Sequence, residues 1–170
     1  ARWTYFRKGT QGQNTIVIGK QNMNASCKPT FKFNSSNTKQ NDDLNFTPDD
    51  KSTAYTVTDL SSCYDEDKGS VQRGIRFLNG RRQILVQDEI KKQNKEIQWR
   101  VQTNATVELS KDKKTATLTI TEVHDPNAAI DKMKINIPKA QMKATILSPG
   151  NAQFAVAPAY DKNSKKPNYY

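Results

Sequence analysis

Arg73-Gly74-Ile75-Arg76-Phe77-Leu78-Asn79-Gly80-Arg81-Arg82-Gln83-Ile84-Leu85-Val86-Gln87-Asp88-Glu89-Ile90 decides how the rest of the chain is read. Asn79-Gly80 is the strongest short hairpin signal a sequence carries, because both residues tolerate the positive φ of a type I′ turn. Before it, Ile75 and Phe77 alternate with Arg76 and Leu78. After it, Ile84, Leu85 and Val86 form an apolar run dense enough for a strand covered on both faces. Asp88 and Glu89 stand where that strand should return to water. The stretch predicts a central antiparallel hairpin.

The same period-two patterning recurs outward from the hairpin. Trp3 to Arg7, Asn14 to Gly19 and Ala54 to Leu60 read as strands on its N-terminal side, with Ile16, Val17 and Ile18 mostly buried. Between them, Gln21 to Asp50 is polar and predicts a long loop with one or two short strands, anchored by Phe31, Phe33 and Phe46. On the C-terminal side Glu96 to Gln102 alternates, predicting Ile97, Trp99 and Val101 inward and Gln98, Arg100 and Gln102 outward. Ala105 to Leu109 and Thr115 to Ile120 make a second hairpin. Met133, Ile135 and Ile137 mark a further strand, and Ala144 to Leu147 and Phe154 to Val156 are the last two candidates. A turn of helix fits only around Asn127 to Asp131. These short, regularly spaced strands predict an all-β, two-sheet antiparallel sandwich filling residues 1–160, followed by a basic, loosely held tail at 161–170.

A net charge of +10, from 27 Lys and Arg against 17 Asp and Glu, calls for an anionic partner. No apolar run reaches the length of a membrane span, so a transmembrane segment is not expected. Basic residues are not interleaved with aromatic ones on a recognisable platform, so neither is nucleic acid. Ala1-Arg2-Trp3 opens without Met and without a signal peptide, which predicts a chain processed or cut from something longer. Cys27 and Cys63 either pair or stay free. The even count, together with Asn-x-Ser/Thr sequons at Asn24, Asn34, Asn45 and Asn104, favours a secreted, disulfide-bonded protein.

Several separated stretches resemble the C-terminal β-sandwich of heparinase II/III-like polysaccharide lyases. Trp3-Thr4-Tyr5-Phe6-Arg7 is followed by Gly12-Gln13-Asn14-Thr15-Ile16-Val17-Ile18, where that family runs Gly-His-Asn-Thr into an apolar strand. Ala54-Tyr55, Arg73-Gly74-Ile75-Arg76, Leu85 to Glu89 and Ile97-Gln98-Trp99 keep the family order over the first two-thirds of the chain. The resemblance implies a helical toroid as partner domain or chain, and cleavage of acidic polysaccharide by β-elimination at a uronic acid. In that reaction a base takes the proton beside the carboxylate and an acid protonates the leaving oxygen. The tyrosine given the acid/base role in the family lies in the toroid. Gln13 stands where the family has His, and an amide cannot titrate near neutral pH. The chain alone is therefore expected to be non-catalytic. A family zinc site of His and Asp ligands is not expected either, since His124 is the only histidine. No cofactor is implied.

The candidate substrate-binding residues are thus Gln13 and Asn14 at the motif, and Arg73, Arg76, Arg81 and Arg82 around the hairpin. Arginine forks match carboxylate and sulfate geometry, although charged hairpin residues also serve simply to solvate or guard an edge. Asp88 and Glu89, as strand neighbours, point to opposite faces and cannot form a catalytic pair. Trp99, between Ile97 and Val101, reads as core. His124 beside Asp125 reads as a turn residue. Two other readings compete with a lyase domain: a secreted, non-catalytic carbohydrate-binding module, and a structural or interaction protein.

Overall fold

The structure is a computed structural model that describes residues 6–34, 55–64, 69–80, 82–121, 123–130 and 133–159. Chain contacts divide the chain into two compact units, Ala1–Arg100 and Val101–Tyr170.

The first unit contains β1 (Ile16–Ile18), β2 (Thr30–Asn34), β3 (Tyr55–Asp59), β4 (Ser70–Leu78), β5 (Gln83–Lys91) and β6 (Ile97–Trp99). Strands β2 to β5 form one sheet in the order β2-β3-β4-β5, and β1 pairs with β6 in a second. The second unit contains β7 (Thr106–Leu109), β8 (Thr115–Ile120), β9 (Val123–Ile130), β10 (Met133–Ile137) and β11 (Ala140–Thr145). There the sheet order is β11-β8-β7, with β9 and β10 as a separate pair. Every strand pair among the described residues is antiparallel, as the period-two patterning predicts. The helical pieces among those residues are 3-10 turns at Phe6–Lys8, Thr10–Gly12 and Ser61–Cys63.

The central hairpin forms as expected, with Asn79 at φ 51° and Gly80 at φ 62°. Its connection is longer than two residues. Leu78 pairs with Gln83, so Asn79 to Arg82 make a four-residue loop closed by the Arg82 N–H donating to the Asn79 carbonyl at 3.3 Å. Arg81 lies outside the described residues.

Ile16, Ile18 and Val71 are buried together, with Leu60, Tyr64 and Ile90 packed against them. Cys27 and Cys63 form the expected disulfide, with their Cα atoms 4.9 Å apart. It ties the segment after β1 to the 3-10 turn before β4.

Several expectations need correction. Phe6–Lys8 is a 3-10 turn rather than strand, and Trp3 to Tyr5 lie outside the described residues. Ile84 is 60% exposed and Val86 38%, because β5 is an edge strand and the described residues do not cover it there. Phe31 on the opposite edge strand is also exposed; Phe46 and most of the polar loop it was expected to anchor lie outside the described residues. In β6 the register sets Ile97 opposite Ile18 and Trp99 opposite Ile16, on the face of the core residues, but this short edge strand leaves them partly uncovered. Ile97 and Trp99 are 45% and 44% exposed, while Gln98 and Arg100 are half-buried.

Asn127 to Ile130 belong to β9, not to a helix, and His124 is a strand residue opposite Asn136. The register jumps from Lys134 opposite Ala129 to Ile135 opposite Asp125, passing over Pro126, Asn127 and Ala128. Proline has no N–H for the ladder, so a strand that contains it must bulge there. The last strand runs Ala140–Thr145, earlier than Ala144 to Leu147. Phe154 to Val156 are irregular: the Phe154 N–H donates to the Lys113 carbonyl at 2.9 Å, outside any strand ladder. Asp65 to Lys68, Asn45 and the tail at 161–170 lie outside the described residues.

Candidate functional site

The segment Gly9 to Thr15 carries the motif residues, and polar groups from distant parts of the first unit fix it. Its base is anchored by buried Thr10, whose N–H donates to Asn22 Oδ1 at 2.8 Å and whose hydroxyl accepts from the Met23 N–H at 2.7 Å. A short hydrogen-bonded turn then closes on itself, with the Gln13 N–H donating to the Thr10 carbonyl at 3.2 Å. Two arginines hold the crest from opposite ends. The Arg100 Nη1 donates to the Gln11 carbonyl at 3.2 Å, and the Arg73 Nη1 to the Asn14 carbonyl at 3.3 Å. The Arg100 N–H also donates to the Thr15 carbonyl at 2.9 Å. Gln13 and Asn14 are left exposed on a crest whose backbone is tied down.

Each arginine is itself oriented. Arg73 makes a fork with Asp88, directly opposite on β5: Nε to Oδ1 at 2.7 Å and Nη2 to Oδ2 at 2.9 Å. Both side chains are mostly shielded, which strengthens the pair beyond an ordinary surface bridge. Arg100 places Nε and Nη2 on Gln98 Oε1 at 3.0 and 2.7 Å. Gln98 and Arg100 are half-buried because their face of β6 meets a loop that needs donors.

Tyr64 completes the surroundings. Its hydroxyl donates to the Ile16 carbonyl at 2.5 Å. Burial pushes its pKa above the ordinary tyrosine value, against smaller opposing effects from the Thr15 side chain and Arg73. The phenol is therefore protonated and engaged at neutral pH. Gln13 and Asn14 have no titrating groups, and Arg73 and Asp88 are committed to each other. What Gln13 and Asn14 offer is amide groups, which donate and accept hydrogen bonds.

Five of the six candidate binding residues are among the described residues, and these five occupy three places. Gln13, Asn14 and Arg73 come together. Arg76, three residues beyond Arg73, points to the other face of the sheet, with Tyr55 and Leu85 as its ladder neighbours. Arg82 sits at the hairpin loop, its Nε donating to the Asn79 carbonyl at 3.0 Å. From Arg73 to Leu78 is five residues, about 17 Å of strand, so Arg73 and Arg82 serve different places. Asn79, Gly80, Arg82 and Gln83 line an open hollow there.

Sequence reasoning missed Arg100, which alternation assigned to solvent, and Tyr64. A local signal existed for Arg100: Gln98 and Arg100 share a face, so the amide oxygen can orient the guanidinium. Nothing local marked Tyr64, whose partner Ile16 is 48 residues away. Among the described residues no three His, Cys, Asp or Glu side chains gather as metal ligands, and His124 is the single histidine.

The family model described as heparinase II/III-like, C-terminal, matches residues 1–157. No curated protein and no solved structure matches the chain significantly. The match runs beyond the stretches that carry the sequence resemblance and takes in the strands of both units, so the chain belongs to the heparinase II/III-like C-terminal family.

Proposed function

We propose that this chain is the polysaccharide-binding β-domain of a heparinase II/III-like lyase, acting on acidic polysaccharide beside a helical toroid and not catalytic alone. The observation that carries the reading is the Gly9 to Thr15 crest. At the family's motif position it presents Gln13 and Asn14 on a backbone held by Arg73 and Arg100, with amides where proton transfer would need a titrating group. A net charge of +10 supplies long-range attraction to a polyanion. The Cys27–Cys63 disulfide supports a secreted protein, since such bonds persist in oxidising compartments.

Pure protein is expected to be retained on immobilised heparin at low salt and to elute at moderate salt, as screening shortens the Debye length to about 10 Å at 0.1 M. Added heparan sulfate or alginate should develop no unsaturated-uronate absorbance. Flow-through at low salt would overturn the binding half of the reading, and product absorbance the non-catalytic half.

A further inference from the structure

Face by face, the β2-β3-β4-β5 sheet has an apolar side and a polar side. Val71, Arg73, Ile75 and Phe77 look one way; Gln72, Gly74, Arg76 and Leu78 look the other. On this second face each row starts at β2, with Asn34, Lys32 and Thr30 in turn, and continues across β3, β4 and β5. Tyr55, Arg76 and Leu85 continue the first row, and Val57, Gly74 and Gln87 the next. Asp59, Gln72 and Glu89 continue the third. Neighbours within a row have Cβ atoms roughly 5 Å apart, and the flanking rows are separated from the middle one by about 7 Å.

Three features of this face belong together. Tyr55 is 41% exposed, so an aromatic ring stands in solvent beside an exposed guanidinium. Arg76 lies between Tyr55 and Leu85 in the ladder, whereas Arg73 on the other face has Asp88 opposite to take its fork. Gly74 leaves the centre of the adjoining row without a side chain. A Cβ built there would meet only backbone, the Gln87 carbonyl oxygen at 3.7 Å and the Thr56 carbonyl oxygen at 4.0 Å, both ordinary contacts. Partly exposed Gly74 thus leaves a gap in the side-chain layer above the strand backbone.

We propose that this gap is a uronate subsite, separate from the Gln13-Asn14 crest, and the proposal rests on the polysaccharide-binding reading above. A pyranose ring lies over Gly74 with its apolar face against Tyr55. The Arg76 guanidinium takes the ring's carboxylate, or a sulfate on it, in a two-point fork. Gln87, exposed at the end of the middle row, offers an amide to a ring hydroxyl. Asp59 and Glu89 in the third row repel a polyanion, so the chain runs over the Arg76 side of the face rather than across all three rows. Asp59 keeps its charge, the Ser61 hydrogen bonds holding its carboxyl below the usual value.

The test is calorimetric titration of a size-defined heparin oligosaccharide into wild type, Gly74→Val, Tyr55→Ala and Arg76→Lys, with melting temperature measured for each. Valine suits a strand and its Cβ meets only ordinary contacts at Gly74, so this variant should fold while filling the gap. Gly74→Val and Tyr55→Ala are each expected to weaken binding about tenfold. Arg76→Lys keeps the charge but loses the fork, and several-fold weakening is expected. Carboxyl-reduced, desulfated oligosaccharide should bind wild type and Arg76→Lys equally weakly, because the fork then has no anion to take. If wild type binds and the folded Tyr55→Ala and Arg76→Lys variants match it, the subsite is overturned while the binding function stands. If wild type does not bind, both fall together.

Discussion

At the Val71 end of the β4–β5 ladder, Val71 and Ile90 pack with Ile16, Ile18, Leu60 and Tyr64, and the Cys27–Cys63 bridge lies close by. At the Leu78 end the same two strands carry Ile75, Phe77, Ile84 and Val86, comparably apolar, yet Ile84 is 60% exposed. Between them the Arg73–Asp88 pair marks the change. The closed end is tied by contacts distant in sequence, including a tyrosine hydroxyl 48 residues from its acceptor and a disulfide spanning 36. Bonds at the open end, such as Arg82 to Asn79, are local. Stability is therefore concentrated where the Gly9 to Thr15 crest is anchored, and the hairpin tip is left accessible. One ladder serves both as foundation and as exposed surface.

The largest effect should come from cutting the closed end's covalent tie. Replacing Cys27 and Cys63 together with Ala is expected to lower unfolding free energy by roughly 3–4 kcal/mol, the chain-entropy value for a loop of this length. Denaturant titration measures it, and a loss no greater than that of an open-end substitution would break the comparison.

Next comes the boundary. Asp88→Ala leaves the Arg73 guanidinium shielded without its carboxylate, a cost of about 1–3 kcal/mol. It should also loosen Asn14, visible as faster amide exchange around Gln13 and Asn14 while exchange at Asn79 stays unchanged. Equal change at both places would mean that the two ends are not separable.

A smaller effect distinguishes the ends by pH. The Tyr64 pKa is raised in the fold, so its contribution is fully present below the unfolded tyrosine value of about 10 and is lost as pH rises through the higher folded value. Melting temperature should fall in that alkaline window, and Tyr64→Phe should flatten the fall. Ile84→Thr at the open end should change stability least, by no more than about 0.5 kcal/mol, because the side chain is already mostly in water.

Much of this architecture could be read in advance because antiparallel strands leave a period of two in the sequence and Asn-Gly announces its turn. Ile16, Val17 and Ile18 read as buried and are. What could not be read was which half of an apolar strand finds a cover. Ile84 and Ile90 look alike in sequence, and only the position of β1 separates them. Gln98 and Arg100 were misassigned because alternation gives two faces without saying which is occupied, and a polar loop can occupy one as well as a core can. The crest was legible at Gln13 and Asn14 through the family motif. Its supports, Arg100 and Tyr64, reach it only through tertiary contacts.

The proposed binding of acidic polysaccharide can be tested at the open end of the ladder, where surface is left exposed beside a separately anchored closed end. The direct measurement is the salt concentration at which immobilised heparin releases wild type, the Arg81→Ala/Arg82→Ala pair and the Lys165→Ala/Lys166→Ala pair. The arginine pair should elute at clearly lower salt with an unchanged melting temperature, while the lysine pair elutes close to wild type. Loss of retention in the lysine pair, with the arginine pair eluting like wild type, would contradict that expectation.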